Sequence, residues 1–263
     1  MLISIIVTTY NWPAALNLCV QSLLMQNDKE FEIIIADDGS KKDTEQLVRV
    51  FQKKISNINI KYLWQEDLGF RKTLILNKAI KMAVGDYIIF LDGDCITQPD
   101  FVEKHRMLSQ AKTIVTGSRI LLNKSLSQKL CEKADLDFKG IKTKSLLHRL
   151  TGRMNKFMPL WIKLPSSLYR NYNRFVWRRI KGCNMAAWRS DIININGFSE
   201  DINGWGHEDA DLVFRMSLSG VKRKSGAWCT EVLHLYHTEN NKSQDKMNSE
   251  IVKKRMLQLK PIE

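Results

Sequence analysis

Short apolar runs alternate with longer mixed stretches along the first half of the chain. The runs are rich in β-branched residues, which is typical of buried strands. The predicted strands are residues 2–7, 32–36, 59–64 and 86–94, and the predicted helices between them are residues 13–25, 43–54 and 72–84. Strands that alternate with helices form βαβ units, so we expect an α/β fold with a mostly parallel central sheet flanked by helices.

Polar residues follow three of these strands at their carboxyl ends. They are Thr8 to Asn11, Asp37 to Ser40, and Asp92 to Asp94. Right-handed crossovers bring the carboxyl ends of parallel strands to one edge of the sheet, where ligands of open α/β sheets bind. We therefore expect a nucleotide-type site at this edge.

The segment Asp92-Gly93-Asp94 supplies candidate metal ligands. Two carboxylates separated by one glycine can converge on Mg²⁺ or Mn²⁺, which keeps positions open for phosphate oxygens. The alternative interpretation is an Asp-Gly turn after a strand. The chain contains neither G-x-G-x-x-G nor G-x-x-x-x-G-K, so a metal would have to neutralise the phosphates, with Arg71 and Lys72 as further candidates.

A second candidate site lies in the segment Gly204-Trp205-Gly206-His207-Glu208-Asp209, before a predicted helix that runs to about residue 219. The tryptophan between two glycines is a candidate platform for a sugar ring. Glu208 and Asp209 fall in the first helical turn, where the helix dipole favours the ionised form, so either is a candidate general base. Simple charge complementation of the helix terminus is the alternative.

Two histidines follow a short apolar run at residues 227–233 that predicts a strand. His234 or His237 would supply a nitrogen ligand to the metal held by Asp94, and the alternative is a structural histidine.

The net charge of +13 is concentrated in one segment. Residues 139–181 contain twelve Lys or Arg and no Asp or Glu, with six Phe, Trp or Tyr between them, the last of which is Trp177. This composition is compatible with binding nucleic acid, an anionic membrane surface or an acidic lipid-linked glycan, and also with a solvated surface insertion. We expect a basic helical insertion at residues 121–181.

The five cysteines are odd in number, widely spaced and without a Cys-x-x-Cys pair, which argues against disulfides and a zinc site and fits a reducing cytosol. No run approaches the length of a membrane span, and the apolar N-terminal run is too short for a signal peptide. We expect a cytoplasmic protein, peripheral on the inner face of the bacterial cytoplasmic membrane.

The motifs resemble a known enzyme family. Ile5 to Asn11, Ala36 to Ser40 and Phe90 to Asp94 resemble, in that order, the family 2 glycosyltransferases of the GT-A fold. Gly182 to Met185 and Gly204 to Asp209 look like the branch that shares a C-terminal half with β-1,4-galactosyltransferases and bacterial chondroitin polymerase. The resemblance covers residues 2–120 and 181–240, and it implies transfer from a nucleotide sugar with inversion at the anomeric carbon.

The resemblance also implies roles for individual residues. It assigns Asp209 as the catalytic base and Glu208 as its neighbour at the acceptor. It places the donor nucleotide sugar, usually a UDP-sugar, against Thr9, Tyr10, Asp37, Asp38, Arg71, Asp92, Gly93 and Asp94. It implies that Mn²⁺ or Mg²⁺ is held by Asp94 and Asp92 together with His237 or His234. From the residues themselves we expect the acceptor against Trp205, Gly206 and His207. The galactosyltransferases carry a glycine at the position of His207, and they offer no counterpart of the basic segment.

The resulting hypothesis is one GT-A domain over residues 1–240 with a helical tail at 241–263. Its halves are residues 1–120, for the nucleotide sugar, and 182–240, for the acceptor. It would transfer a hexose (galactose, glucose or an N-acetylhexosamine) to a surface glycan such as lipopolysaccharide core. The alternatives are a nucleotidyltransferase, or a non-enzymatic protein that binds nucleic acid or membranes through the basic segment. No nucleic-acid partner is expected, because carboxylates at the sheet edge repel phosphates unless a metal intervenes.

Overall fold

The structure is a computed structural model that describes residues 1–172, 174–176, 180–202, 204–238 and 244–258. Trp177 of the basic segment and residues 241–243 and 259–263 of the tail lie outside the described residues. No helix of the described part of the chain is long and apolar enough to cross a membrane.

The first half of the chain alternates strands and helices as the pattern predicts. Its elements are β1 (Ile3–Thr9), α1 (Pro13–Leu24), β2 (Phe31–Asp37), α2 (Lys42–Lys54), β3 (Ile60–Trp64), α3 (Lys72–Met82), β4 (Tyr87–Asp92), β5 (Cys95–Ile96), α4 (Phe101–Leu108), β6 (Thr113–Thr116) and β7 (Arg119–Leu121). Helix α3 ends two residues earlier than predicted. Gly85 lies after it, where a side chain would come within 2.6 Å of the Ser4 amide nitrogen.

The second half begins with the basic segment and ends with a long helix. Its elements are α5 (Lys124–Lys133), α6 (Phe138–Thr143), α7 (Ser145–Leu150), 3₁₀ turns at Met158–Leu160 and Leu168–Arg170, β8 (Asn184–Trp188), α8 (Arg189–Asn194), α9 (Glu208–Leu218), β9 (Lys222–Ser225), β10 (Val232–His234) and α10 (Asp245–Gln258).

Seven of the described strands form the central sheet, in the order β3-β2-β1-β4-β8-β6-β9. Strands β3, β2, β1 and β4 are parallel to one another, and β6 is parallel to β9. Only β8 runs antiparallel to its neighbours among these strands. The predicted α/β fold with a mostly parallel sheet is therefore confirmed.

A second, smaller sheet brings distant parts of the chain together. Strand β10 lies between β5 and β7, with His234 paired to Cys95 and to Leu121. The predicted strand at residues 227–233 was wrong in its position. The Cys229 and Thr230 amides donate to the Gly226 carbonyl, so the chain turns there and the strand begins only at Val232.

The basic insertion packs on the rest of the molecule. Apolar side chains of α5 and α6, among them Leu126 and Ile141, join one buried cluster with Leu18 of α1 and Leu233 of β10. Leu122 pairs with Met154, which ties the segment to the end of β7. The predicted basic helical insertion is thus confirmed, and its inner side contributes to the core.

One buried histidine links α4 to the central sheet. His105 is fully buried, its ring meets the edge of Phe101, and its Nε2 lies 3.1 Å from Asn184 Oδ1. The Asn184 amide donates to the Ser118 and Thr230 carbonyls, so its oxygen accepts and Nε2 donates. Burial lowers the pKa of His105 to about 4, with the Asn184 hydrogen bond acting in the opposite direction.

We expect this histidine to make stability depend on pH. His105 binds a proton near pH 6.5 in the unfolded chain and only near pH 4 in the folded chain. The free energy of unfolding is therefore highest above pH 6.5 and falls as the pH drops from 6.5 towards 4. The expected loss is on the order of 3 kcal/mol. Denaturant melts at pH 4.5 and 7.5 would measure it. His105→Gln keeps a donor without titrating and should flatten the dependence; an equal slope in both proteins would contradict the assignment.

Candidate functional site

Strand register places the predicted polar strand ends side by side. Thr9 pairs with Asp37 across β1 and β2, and Thr8 pairs with Asp92 across β1 and β4. Gly93 follows at the edge, where its amide donates to the Thr8 carbonyl at 2.7 Å and a side chain would come within 2.8 Å of that oxygen. The glycine therefore lets the chain turn tightly against β1 and presents Asp92 and Asp94 from one point.

The turn after β2 is built on hydrogen bonds from Asp37. This carboxylate is fully buried and accepts from the Ser40 amide and the Tyr62 hydroxyl, both at 2.7 Å. Asp38 accepts from Gln65 Nε2 at 2.6 Å and from the Arg71 amide at 2.9 Å. Asp37 thus holds the turn, while Asp38 joins it to the loop after β3.

Three of the residues predicted to bind the donor lie at or near this turn: Asp38, Tyr10 and Arg71. Burial raises the pKa of Asp38, and the hydrogen bonds from Gln65 and Arg71 oppose that effect. Tyr10 is more exposed, and its hydroxyl donates to Asp67 Oδ2 at 2.9 Å. The side chain of Arg71 donates to the Glu66 carbonyl.

A lysine ammonium lies between carboxylates of the two halves of the chain. Lys72 Nζ is 2.6 Å from Asp92 Oδ1 and 4.0 Å from Glu208 Oε1. Thr8 Oγ1 also donates to Asp92 Oδ1, at 2.8 Å. Burial opposes ionisation of Asp92, but the Lys72 and Thr8 contacts outweigh it, and its pKa lies below the ordinary value.

Three residues form a candidate metal centre. Asp94 Oδ2 lies 3.6 Å from His234 Nε2 and 3.2 Å from His237 Nε2, and each residue offers one ligand atom within 4.8 Å of the others. His237 Nδ1 lies 2.8 Å from the Thr238 carbonyl, which leaves Nε2 free to accept a metal. Burial raises the pKa of Asp94 and the two imidazoles oppose that effect. The side chains present fit a divalent cation.

The donor set also bears on which cation fits. One carboxylate and two imidazoles suit Mn²⁺ better than Mg²⁺, which prefers oxygen ligands. Both predicted histidines take part. Asp92, predicted as a further ligand, lies with Lys72 rather than in this group.

A second group of metal-ligating side chains lies behind the first. Cys95, Cys183 and His234 also come within 4.8 Å of one another, all three buried. The sequence spacing of the cysteines argued against such a cluster, because their proximity arises from tertiary pairing. His234 pairs with Cys95 across β10 and β5, and the Cys183 carbonyl accepts from the Asp92 amide at the end of β4. Burial raises the pKa of Cys95 well above its ordinary value, so this thiol stays protonated.

The first turn of α9 carries two carboxylates, Glu208 and Asp209, that line a cavity with Asp92. Asp209 Oδ2 accepts from the Gly182 amide at 2.8 Å, and Oδ1 accepts from the Ala210 amide at 2.7 Å. Burial raises the pKa of Glu208 to about 7; Lys72 opposes the shift and Asp209 adds to it. Both carboxylates line one cavity with Thr8, Lys72, Asp92 and Gly182.

The loop before α9 is held by the C-terminal helix. Gly206 and His207 both have positive φ, at 109° and 70°. Asn248 of α10 donates to the Gly206 carbonyl at 3.1 Å, and His207 Nε2 lies 3.3 Å from Asp245 Oδ1. A φ of 109° favours glycine at position 206, and a side chain there would also come within 2.8 Å of that Asp245 oxygen.

Comparison with known families accounts for both halves of the chain. Residues 4–139 match the family model described as glycosyl transferase family 2. The chain belongs to this family. Residues 165–238 match the model described as the N-terminal domain of galactosyltransferase. The predicted family and the predicted branch are confirmed.

Curated relatives are longer than this chain. A validoxylamine A glucosyltransferase of Streptomyces hygroscopicus is 26% identical over 257 residues, which cover 94% of this chain and 59% of the relative. The hyaluronan synthase of Pasteurella multocida is 30% identical over 233 residues, which cover 81% of this chain and 22% of the synthase. The family 2 chain therefore spans about three fifths or less of these relatives.

Solved structures agree on the fold. Staphylococcus aureus TarS 1–349 in complex with UDP-GlcNAc has a TM-score of 0.66 at 15% identity, covering 100% of this chain and 68% of TarS. The mannosyltransferase PcManGT of Pyrobaculum calidifontis, in complex with GDP-Man and Mn²⁺, has a TM-score of 0.60 at 15% identity, covering 90% of this chain and 58% of that one. The chain has the GT-A fold.

Some residues of the candidate site carry no recognisable sequence signal. Tyr62 and Gln65 hold the Asp37–Asp38 turn from another strand and loop. Arg119 Nη1 lies 3.3 Å from His234 Nε2. The sequence assigned no functional role to the C-terminal tail. In the structure, α10 contacts the loop at residues 204–207, which we call the tryptophan loop. Each of these contacts joins residues that are far apart in the chain.

We expect Asn248→Ala to loosen the loop at residues 204–207. The Gly206 carbonyl loses a donor inside the protein, a change that costs about 1–3 kcal/mol. Amide hydrogen exchange at Gly206 and His207 should accelerate about fivefold or more. Asn194→Ala, at the exposed end of α8, is the matched control and should leave this exchange unchanged. Equal exchange in Asn248→Ala and wild type would contradict a clamping role for α10.

Proposed function

We propose that this family 2 protein is a metal-dependent, inverting glycosyltransferase. It would move a hexose (galactose, glucose or an N-acetylhexosamine) from a UDP-sugar to a sugar hydroxyl of a surface glycan such as lipopolysaccharide core. One observation carries the proposal. The candidate cation-binding group contains Asp94, two residues after Asp92 at the end of β4, and Asp92 lines one cavity with Asp209 and Glu208.

The donor would lie along the carboxyl edge of β1, β2 and β4. Thr9 and Asp38 offer polar atoms to a nucleoside at the turn after β2, and TarS, a neighbour in fold, is known with UDP-GlcNAc. Mn²⁺ or Mg²⁺ held by Asp94, His234 and His237 would bind the diphosphate and offset the charge that develops on the leaving UDP. PcManGT, another neighbour, is known with Mn²⁺.

Asp209 is the base in this proposal. The Gly182 and Ala210 amides hold its carboxylate in one orientation at the cavity. The acceptor hydroxyl would give its proton to Asp209 while its oxygen forms a bond to the anomeric carbon. The bond from that carbon to the UDP oxygen breaks on the opposite face, which inverts the configuration through an oxocarbenium-like transition state.

The acceptor would lie between the tryptophan loop and Glu208. The Trp205 ring offers an apolar face to a sugar, and Gly206 and His207 complete the loop. Glu208 would accept a hydrogen bond from the acceptor or donate one when protonated, because burial raises its pKa to about 7. A glycan acceptor that is still attached to lipid would place the enzyme at the inner face of the cytoplasmic membrane.

We expect Asp209→Asn to abolish transfer and to leave donor affinity nearly unchanged. An amide cannot take the acceptor proton, and such groups contribute about 10²–10⁴-fold to the rate. Initial rates with a panel of UDP-sugars, and UDP affinity by calorimetry, would measure the two effects.

The matched control is Asp43→Asn in the first turn of α2. Asp43 Oδ1 accepts from the Thr44 amide at 2.9 Å, as Asp209 Oδ1 does from Ala210. This control should keep full activity. An Asp209→Asn enzyme that retains more than about a tenth of the wild-type rate removes Asp209 from the base role.

We expect UDP to raise the melting temperature only when Mn²⁺ is present. Binding to the folded state at a hundred times the dissociation constant adds about 2.7 kcal/mol to its stability, which corresponds to several degrees in a domain of this size. EDTA and Asp94→Asn should each abolish the shift, and GDP, CDP and CMP should give smaller shifts. An EDTA-insensitive UDP shift would exclude the metal-bound diphosphate, and a larger shift with CTP or UTP would favour a nucleotidyltransferase.

A further inference from the structure

Exposed apolar side chains are concentrated in the basic insertion. Large hydrophobic residues that face solvent occur throughout the described chain, but one dense group lies within residues 146–169. Its members are Leu146, Leu147, Leu150, Met158, Trp161, Ile162, Leu164, Leu168 and Tyr169. We refer to these nine side chains as the insertion surface. A concentration of exposed apolar side chains of this kind is a candidate interaction site.

Helix α7 shows that this exposure follows a helical face. Ser145 and His148 are buried on one side, whereas Leu146, Leu147 and Leu150 are exposed, and Leu150 lies four residues after Leu146 and three after Leu147, as neighbours on one helix face do. Leu150 is 76% exposed. A surface helix normally turns its leucines inward, so α7 has an unpartnered apolar stripe.

Two 3₁₀ turns carry further members of the surface, and the first of them ends beside α7. Trp161 Nε1 donates to Ser145 Oγ at 2.9 Å, and Lys142 Nζ lies 4.9 Å from the centre of the Trp161 ring. Trp161 is thereby fixed beside α7, although 53% of it remains exposed. Leu168, at the second turn, is 83% exposed.

The surface is built on a fixed base. Arg170 is buried and donates to four carbonyls, those of Leu164, Pro165, Ser225 and Ala227. Ile141 and Leu160 lie in the buried cluster beneath the insertion. The outward-facing side chains therefore belong to a packed element.

The segment that carries the surface contributes charges of a single sign, although Lys156 pairs with Glu231 and Lys163 with Asp100 of other segments. Residues 139–181 include no Asp or Glu. Lys139, Lys144, Arg149 and Arg153 are exposed among the apolar side chains. Such a surface attracts anions and, at the same time, offers area to an apolar phase.

We propose that the insertion surface docks on an anionic lipid bilayer. Aliphatic and tryptophan side chains would enter the boundary between headgroups and acyl chains, and the Lys and Arg side chains would meet the lipid phosphates. Seven of the nine side chains are Leu, Ile or Met, and only Trp161 and Tyr169 are aromatic. Single-stranded nucleic acid is bound by stacking on aromatic rings, so the aliphatic excess favours lipid.

Docking in this way would keep the candidate site near the membrane. The Asn155 amide donates to the Leu121 carbonyl at the end of β7, and β7 pairs with β10, which carries His234. A lipid-linked acceptor would then be within reach of the sheet edge. That consequence rests on the proposed function, whereas the docking itself can be measured without any transfer activity.

The experiment is co-sedimentation of the whole chain with vesicles of phosphatidylglycerol and phosphatidylcholine, at 50 and 300 mM salt. The apolar variant combines Leu146→Ser, Leu147→Ser and Leu150→Ser. The charge variant combines Arg149→Gln and Arg153→Gln. The control replaces exposed aliphatic residues elsewhere: Val50→Ser, Val84→Ser and Met107→Ser. Circular dichroism melts establish that each variant is folded.

We expect the wild type and the control to bind anionic vesicles at least tenfold more tightly than phosphatidylcholine vesicles. The apolar variant should bind at least tenfold more weakly at both salt concentrations, because apolar burial is not screened. The charge variant should lose affinity mainly at low salt. Brominated lipids should quench wild-type fluorescence more than that of Trp161→Phe.

Two results would overturn the proposal. The first is that the folded wild type fails to bind anionic vesicles at 50 mM salt, or binds them no better than the apolar variant does. The second is that single-stranded RNA binds as tightly as anionic vesicles and does so equally in the apolar variant, which would assign the basic residues to nucleic acid. Neither result would bear on the UDP- and Mn²⁺-dependent shift, so the two proposals fail separately.

Discussion

The candidate site depends on one partly buried lysine ammonium, that of Lys72. Asp92, Asp94, Glu208 and Asp209 converge on one sheet edge, and carboxylates removed from water are stable only when other charges compensate them. Lys72 supplies that charge from the first turn of α3, 2.6 Å from Asp92 and 4.0 Å from Glu208. Removing one partner from a fully buried ion pair costs about 3–5 kcal/mol, and this pair, with 16% and 27% of its side chains exposed, should cost less. The ammonium therefore joins the strand that ends in Asp92 to the helix that begins with Glu208.

The pairing of Lys72 with Asp92 gives different contacts to the two aspartates at the carboxyl end of β4. Asp92 directs one oxygen to Lys72 and Thr8, while Asp94 faces the two histidines. Gly93 between them allows the chain to turn against β1. Asp92 thus meets a cation fixed in the protein, while Asp94 belongs to the candidate metal centre.

The first half of the fold was predictable because its signals are local. Apolar runs of strand length end in polar residues, and parallel pairing then places Thr9, Asp37 and Asp92 at one edge without further information. The contacts of Lys72 and of α10 were not predictable, because they join residues far apart in the chain and depend on packing. The start of β10 was misplaced because Cys229 and Thr230 are apolar or β-branched and yet lie in a turn.

The histidine shared by two groups of ligands bears on metal selectivity. His234 lies within reach of Asp94 and His237 on one side and of Cys95 and Cys183 on the other. Thiolates would favour a soft cation such as Zn²⁺, but Cys95 and Cys183 are 0% and 3% exposed, whereas Asp94 and His237 are partly exposed. A cation that arrives from the sheet edge therefore meets a carboxylate and two imidazoles before it meets sulfur. The fold keeps both cysteines in the core, so the accessible donors are those that suit Mn²⁺.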